Sequence, residues 1–402
     1  MWLVKMVKVN PTILRWARET AGINIDDACH KLGINETKKL TARERLLVLE
    51  EGTIEPSRPM LVKMAKHYHR PLITFYMEGP PIKGERGQDF RSLPISYPNE
   101  DIALVDALLR DIIARQSIVR AALEDEEETE KLNFVSSAKM SDGVPRLVDF
   151  IKEILKFNIN DFYKKDSIAN AFAYIRTCIE SKGIFVLLIG DLGNYHTDLD
   201  IKAFRGFALA DNFAPFIVIN DNDSKAAWSF TLMHELAHIF LGQTGISGAS
   251  DDFQEERFCN DVAGKLLLPD EELKRLEIKD VTNKSDLMMQ ITAFANDRNL
   301  SCSMVAYNLY LSGEISQSTW LDLNDAYRNL WEENKRKNRI QSNEGEGGPN
   351  YYIIRKHRLG KSLTSFTQRM LAGGMITTSE AGKILGLKPQ NVQRLFEVQS
   401  WK

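Results

Sequence analysis

The chain has 402 residues, 43% of them hydrophobic, and a net charge of −3. That length excludes one small domain and predicts two to four units with at least one sizeable core. Four cysteines, Cys29, Cys178, Cys259 and Cys302, lie far apart with no Cys-x-x-Cys pair, which excludes a disulfide scaffold or zinc ribbon and fits a reducing compartment.

"MWLVKMV" at the start is interrupted by Lys5 and has no small-residue cleavage site, so it is a poor signal peptide. Four short helices are expected next. "NPTILRWARETAG" stops at glycine. "NIDDACHKLGI" has Asp26 as a candidate cap and ends at Gly33. "TARERLLVLEEG" pairs Thr41 with Glu44 at the capping-box spacing, and "PSRPMLVKMAKHYHRP" supplies the fourth. Residues 1–79 carry thirteen Lys/Arg against nine Asp/Glu, a net +4. Helix, glycine turn, helix is compatible with DNA binding, with Lys38, Lys39, Arg43 and Arg45 as candidate phosphate contacts. The modest charge and Glu44, Glu50 and Glu51 leave docking of a protein equally open.

The Pro/Gly-rich "EGPPIKGERGQ" reads as a linker. It leads into a long helical pattern over Ile102 to Glu130 and a second helical zone from Val144 to Ser181. The period then changes: "GIFVLLIG", "FRGFALAD" and "APFIVIND" read as strands. "GIFVLLIG" is the longest apolar run and is too short to cross a bilayer; the reading is a soluble cytoplasmic protein with no membrane partner. "FTLMHELAHIFLG" follows the third strand, then the helical "FQEERFCNDVAGKLLLP". "NKRKNRIQSNEGEGGPN" (334–350) reads as a linker or mobile loop, and "TTSEAGKILGLKPQNVQRLF" as helix, glycine turn, helix. Residues 331–402 carry thirteen Lys/Arg against six Asp/Glu, leaving −14 for the middle of the chain. Basic ends around an acidic middle fit modules with different partners, or tails charged for solubility.

The chemistry sits in "HELAH". A four-residue helical step turns about 400°, so His234 and His238 project within about 40° of each other, one turn apart. Two such imidazoles can reach one tetrahedral zinc, with Glu235 beside them to take a proton from water. A structural zinc and a hydrogen-bonded core pair are the plainer alternatives. A catalytic zinc wants a third protein ligand and an open position. Of Asp251, Asp252, Glu255 and Glu256, Glu256 is favoured because Asn260 follows it by four residues, on the same helical face. Asn260 would then accept a hydrogen bond from a ligand histidine. His196, Tyr195 and Tyr307 are candidate donors to a developing oxyanion. Strand 214–220 is either an open edge for an extended peptide or an interior strand.

"APFIVIND", "FTLMHELAHIFLG" and "EERFCNDVAGKLLLP", in that order, resemble the ImmA/IrrE family of zinc metallopeptidases. "QDFRSLP" and "EEGTIEPSRPMLVKMAKHYHRPLITFYMEGPP" are similar to its larger members, which join an XRE-type helix-turn-helix to the peptidase. "GGPNYYIIRKHRLGKSLTSFTQRMLAGGMITTSEAGKILGLK" resembles their C-terminal extension. Leu49 departs from the tryptophan common at that place in the family.

The resemblance implies an α+β fold: a gluzincin-like metallopeptidase core with a small twisted sheet, an all-α N-terminal domain and a helical C-terminal extension. The division expected is 1–79, 80–143, 144–330 and 331–402. The resemblance carries over His234, His238 and Glu256 as ligands of Zn2+, Glu235 as general base, and a helix-turn-helix repressor as substrate class. The competing reading is a DNA-binding regulator or antitoxin-like protein in which the zinc domain senses or scaffolds.

Overall fold

The computed structural model describes residues 8–80, 99–126, 129–193, 197–246, 253–278, 283–344 and 350–398. "MWLVKMV", "QDFRSLP", Tyr195, His196, Asp251 and Asp252 therefore lie outside the described residues. The chain divides into two units, residues 1–112 with 191–203, and residues 113–190 with 204–402. Among the described residues no helix is long and apolar enough to cross a membrane.

The first unit opens with four helices, α1 (Pro11–Thr20), α2 (Ile25–Leu32), α3 (Ala42–Glu50) and α4 (Arg58–His67), followed by a 3-10 turn over Leu72–Tyr76. Each helix starts on a side chain that satisfies a free backbone amide. Asn24, rather than the expected Asp26, caps α2 by accepting from Asp27 N, and Gly33 ends it in the left-handed region. The Thr41–Glu44 capping box forms as expected. Ile13, Leu14, Leu32, Leu46, Leu61, Met64 and Phe75 form the core. Within it Arg18 of α1 grips Glu50 of α3 through two hydrogen bonds of 2.6 and 2.9 Å. Hydrogen bonding to Glu50 outweighs burial and raises the Arg18 pKa, so the guanidinium stays charged.

Next come α5 (Asn99–Glu124), α6 (Val144–Leu155), α7 (Ile159–Tyr163) and α8 (Ile168–Glu180). The pattern expected to run to Glu130 stops at Glu124. Asp125 and Glu126 follow, and acidic residues are disfavoured at the negative end of a helix. The sheet comprises β1 (Phe185–Leu188), β2 (Gly206–Leu209), β3 (Phe216–Ile219) and a two-residue β4 (Gly245–Ile246). The strands are ordered β1-β3-β2-β4; β1 runs parallel to β3, and the other pairs are antiparallel. Thus β3 is interior: its ladder groups are already paired on both sides, so it cannot take a peptide by strand addition.

Between β3 and β4 lies α9 (Lys225–Leu241). After β4 come α10 (Phe253–Leu267), α11 (Asp270–Leu273), α12 (Lys284–Asn296), α13 (Cys302–Leu311) and α14 (Gln317–Glu344). Residues 334–344, expected as linker, continue α14; polar but glycine-free, they extend a helix supported by pairs such as Glu333–Lys337 at 2.8 Å. Residues 345–349 lie outside the described residues. The chain ends in α15 (Tyr351–Leu359), α16 (Lys361–Ala372), α17 (Thr378–Leu385) and α18 (Val392–Glu397).

Alternation along the strands sorts the sheet's two faces. Val186, Leu188, Ala208, Ile217 and Ile219 join the core that contains α9, while Phe185 meets Phe216 and, at 5.7 Å, Phe366 of α16. The C-terminal helices are therefore built into this unit.

One ion pair on α8 fixes them. Arg176 pairs with Glu180 at 3.1 Å and donates to Val186 O on β1, and to His357 O at 2.7 Å and Arg358 O at 3.2 Å in the last turn of α15. Glu180 accepts from Ser362 N at the start of α16. The cation thus serves a helix C-terminus and the anion a helix N-terminus, as the helix dipoles require. Gly360 joins the two helices at φ +80°, and a Cβ there would strike Glu180 Oε1 and lie 2.5 Å from Arg176 Nη2. Gly360→Ala is expected to cost about 2–5 kcal/mol, from backbone strain plus overpacking. Urea unfolding followed by far-UV circular dichroism checks this; an unchanged midpoint would refute the arrangement.

Candidate metal centre

The site is carried by α9. Leu232, Met233, Leu236, Ala237, Ile239 and Phe240 are all buried, so the helix is apolar nearly all round and lies inside the unit. His234 is only 4% exposed and Glu235 0%. Gly242 ends the helix in the left-handed region and turns the chain back, so that Gln243 N reaches His238 O at 2.9 Å.

α10 packs on α9 and brings Glu256 to the two histidines. His234 Nε2 and His238 Nε2 lie 3.1 Å apart, and the Glu256 carboxylate oxygens are 3.3 Å from His234 Nε2 and 3.5 Å from His238 Nε2. Donors each about 2.0–2.1 Å from a tetrahedral ion stand about 3.4 Å from one another. The three separations have the size set by one shared ion. Among the described residues, this trio is the group of His, Cys, Asp and Glu placed to hold one.

The electrostatics agree. Burial pushes the His238 imidazole down, but hydrogen bonds to Cys259 and Glu256 prevail and hold its pKa well above the ordinary value. Burial raises Glu256, but hydrogen bonds from His234 and His238 bring it to about 2. His238 and Glu256 therefore favour opposite charges facing each other. A proton supplies the positive charge, and a divalent ion suits two imidazoles and a carboxylate better.

Ring orientation is set from outside the trio. His238 Nδ1 lies 2.9 Å from Gln243 Oε1. If that amide oxygen accepts the Nδ1 proton, the Nε2 lone pair is left facing Glu256. The Cys259 sulfur sits 3.7 Å from the same Nδ1, on the side of the ring away from the trio; burial raises its thiol pKa and the contact with His238 lowers it. At His238 it is Gln243, not Asn260, that faces Nδ1. Asn260 instead lines a cavity with Tyr307 and Phe230, and His234 Nδ1 is buried without a hydrogen-bond partner. The turn at Gly242 carries Gln243 back onto the last turn of α9, beside His238.

Glu235 is wedged beneath β2. A Cβ on Gly206 would lie 2.7 Å from Thr231 Cγ2 and 2.8 Å from Glu235 Oε1, so glycine at this strand position lets the carboxylate approach the sheet. Gln243 and Gly206 were both missed by sequence reasoning. The available signals were a polar residue directly after a helix-ending glycine and a lone glycine opening an apolar strand.

The remaining candidates are dispersed. Glu255 stands beside the trio in sequence and outside it in space. The Tyr307 ring packs on Trp320 at 5.4 Å. In the first unit, Lys38 and Lys39 are exposed between α2 and α3. Arg43 is 3.7 Å from Asp26, and Arg45 donates to Asn35 O at 2.6 Å.

No curated protein and no solved structure matches the chain. Residues 180–310, which run from the end of α8 into α13 and contain His234, Glu235, His238 and Glu256, match the family model of the IrrE N-terminal-like domain, a peptidase family.

Proposed function

We propose that the chain is a zinc-dependent endopeptidase that cleaves a protein regulator, with helix-turn-helix repressors as the substrate class. The observation that carries this reading is the convergence of His234, His238 and Glu256 beside Glu235, within the segment that matches a peptidase family.

Zinc held by those three side chains would supply Lewis acidity, polarising the scissile carbonyl and easing ionisation of water. Gln243 would keep His238 in the tautomer that leaves Nε2 available. Glu235 is the residue for the proton: it takes it from the attacking water and delivers it to the leaving nitrogen. Its place between an apolar helix and Gly206 keeps bulk water away from that carboxylate, which strengthens each electrostatic contact made there.

A second reading, a DNA-binding regulator, is favoured by α2 and α3 of the first unit, with Lys38 and Lys39 exposed between them. Arg43 and Arg45 are already engaged by Asp26 and Asn35, so the lysines are the better phosphate contacts. A mobility shift with its own promoter that weakens as salt rises is the expected sign of this function; no shift at low salt refutes it.

Purified protein should hold about one zinc per chain. Glu235→Gln should retain that zinc while cleavage of the repressor falls by about 10²–10⁴-fold; equal cleavage by the variant rules the mechanism out. Gln243→Ala should weaken zinc binding about 10–100-fold in competition with a chelator, and an unchanged affinity would remove Gln243 from the site.

A further inference from the structure

A cavity of about 270 Å³ adjoins the metal centre within the second unit. Phe230, which lines it, precedes His234 by one turn of α9, and the two rings lie 6.4 Å apart. Asn260, also in its wall, follows Glu256 by one turn of α10. One turn is about 5.4 Å, which is the reach from a scissile bond to the side chain of the residue next to it.

The walls select what can enter. Phe230, Leu273 and Leu311 give apolar surface, and Gly264 supplies no side chain to fill the space. Of the polar groups in the wall, Asp261 and Asp270 accept, Lys265 donates, and Asn260, Tyr307, Asn308 and Ser312 can do either. Asn308 is buried and donates its Nδ2 to Met304 O at 2.9 Å, leaving Oδ1 as an acceptor near Gly264. Among the described residues no cation forms an ion pair with Asp261. Lys265, the cation in the wall, is held by Asp270, and Arg257 is exposed. Burial pushes the Asp261 carboxyl up, against the pull of Arg257 and Lys265; a cation arriving from outside would offset that cost.

We propose that this cavity receives a lysine or arginine side chain of the substrate at the position adjoining the scissile bond, with the aliphatic stem along Phe230 and Leu273 and the cationic tip on Asp261 and Asn308 Oδ1. The inference rests on the peptidase reading for its place in the reaction, but the pocket itself can be tested without turnover.

Binding of N-acetyl-arginine methylamide and its norleucine counterpart to the full zinc-loaded chain is followed by ligand-observed NMR. The arginine probe should bind, and Asp261→Asn should weaken it about ten- to hundredfold. The norleucine probe should bind weakly and be indifferent to the substitution. Gly264→Leu, whose Cβ meets Asn308 only at 3.7 Å, should block the arginine probe while far-UV circular dichroism stays native. Equal binding of both probes, no binding of either, or indifference to both substitutions overturns the pocket. A peptide library then separates the two claims. Cleavage without preference for a basic residue also overturns the pocket and leaves the peptidase standing. Arginine binding with no cleavage beyond that of Glu235→Gln overturns the peptidase and leaves a cation pocket.

Discussion

Two imidazoles and a carboxylate facing one another at buried and half-buried positions favour a positive charge between them. Placing polar groups in such surroundings is costly unless they are paired, and α9 buries His234 and Glu235 almost completely. The raised His238 and the lowered Glu256 are two sides of one hydrogen-bonded pairing. The rest of the second unit holds these groups in place. The sheet presses on α9 through Gly206, α10 crosses it with Glu256, and the left-handed Gly242 folds Gln243 back to orient His238.

The C-terminal helices belong to the same construction. An i,i+4 pair on a helix surface ordinarily contributes a few tenths of a kcal/mol. Arg176 and Glu180 are both nearly buried, at 9% and 8% side-chain exposure, and each also satisfies backbone groups of another element. Removing either would strand a buried charge, which costs far more than the pair's own attraction. The pair thereby holds α15 and α16 against β1, the strand beside β3. A basic tail in sequence becomes, in the fold, a brace for the sheet that leads into α9.

What the sequence disclosed follows from the range of each interaction. The facing of His234 and His238 depends only on helical pitch, and the Thr41–Glu44 box only on a three-residue spacing, so both were legible. Glu256 was favoured because Asn260 follows it on the same helical face; Glu256 does reach both histidines, although His234 Nδ1 has no hydrogen-bond partner and Gln243 faces His238 Nδ1. Gln243 could not be foreseen, because its position depends on the backbone hand at Gly242. The interior place of β3 depends on β1 and β2 arriving from distant parts of the chain, and no local pattern encodes that. At Asn24 and Asp26 two good capping residues competed, and the geometry at Asn24 prevailed. Residues 334–350 looked like a linker because they are polar and glycine-rich, yet the glycines all follow residue 344, and polarity alone does not break a helix over 334–344, where glycine and proline are absent.

The antiparallel crossing of α9 and α10 links the ion site to the adjoining cavity. Moving from His234 to Phe230 on one helix matches moving from Glu256 to Asn260 on the other, so ligands and pocket walls alternate by single turns along the same pair. Any shift that slides α10 along α9 would misplace Glu256 and reshape the cavity together. On the proposed function, binding a basic side chain against Asp261 would bear on the helix that also carries Glu256. Substrate contact and ligand geometry would then share one rigid element, so binding energy gained in the pocket could be used to align the scissile bond rather than only to tighten association.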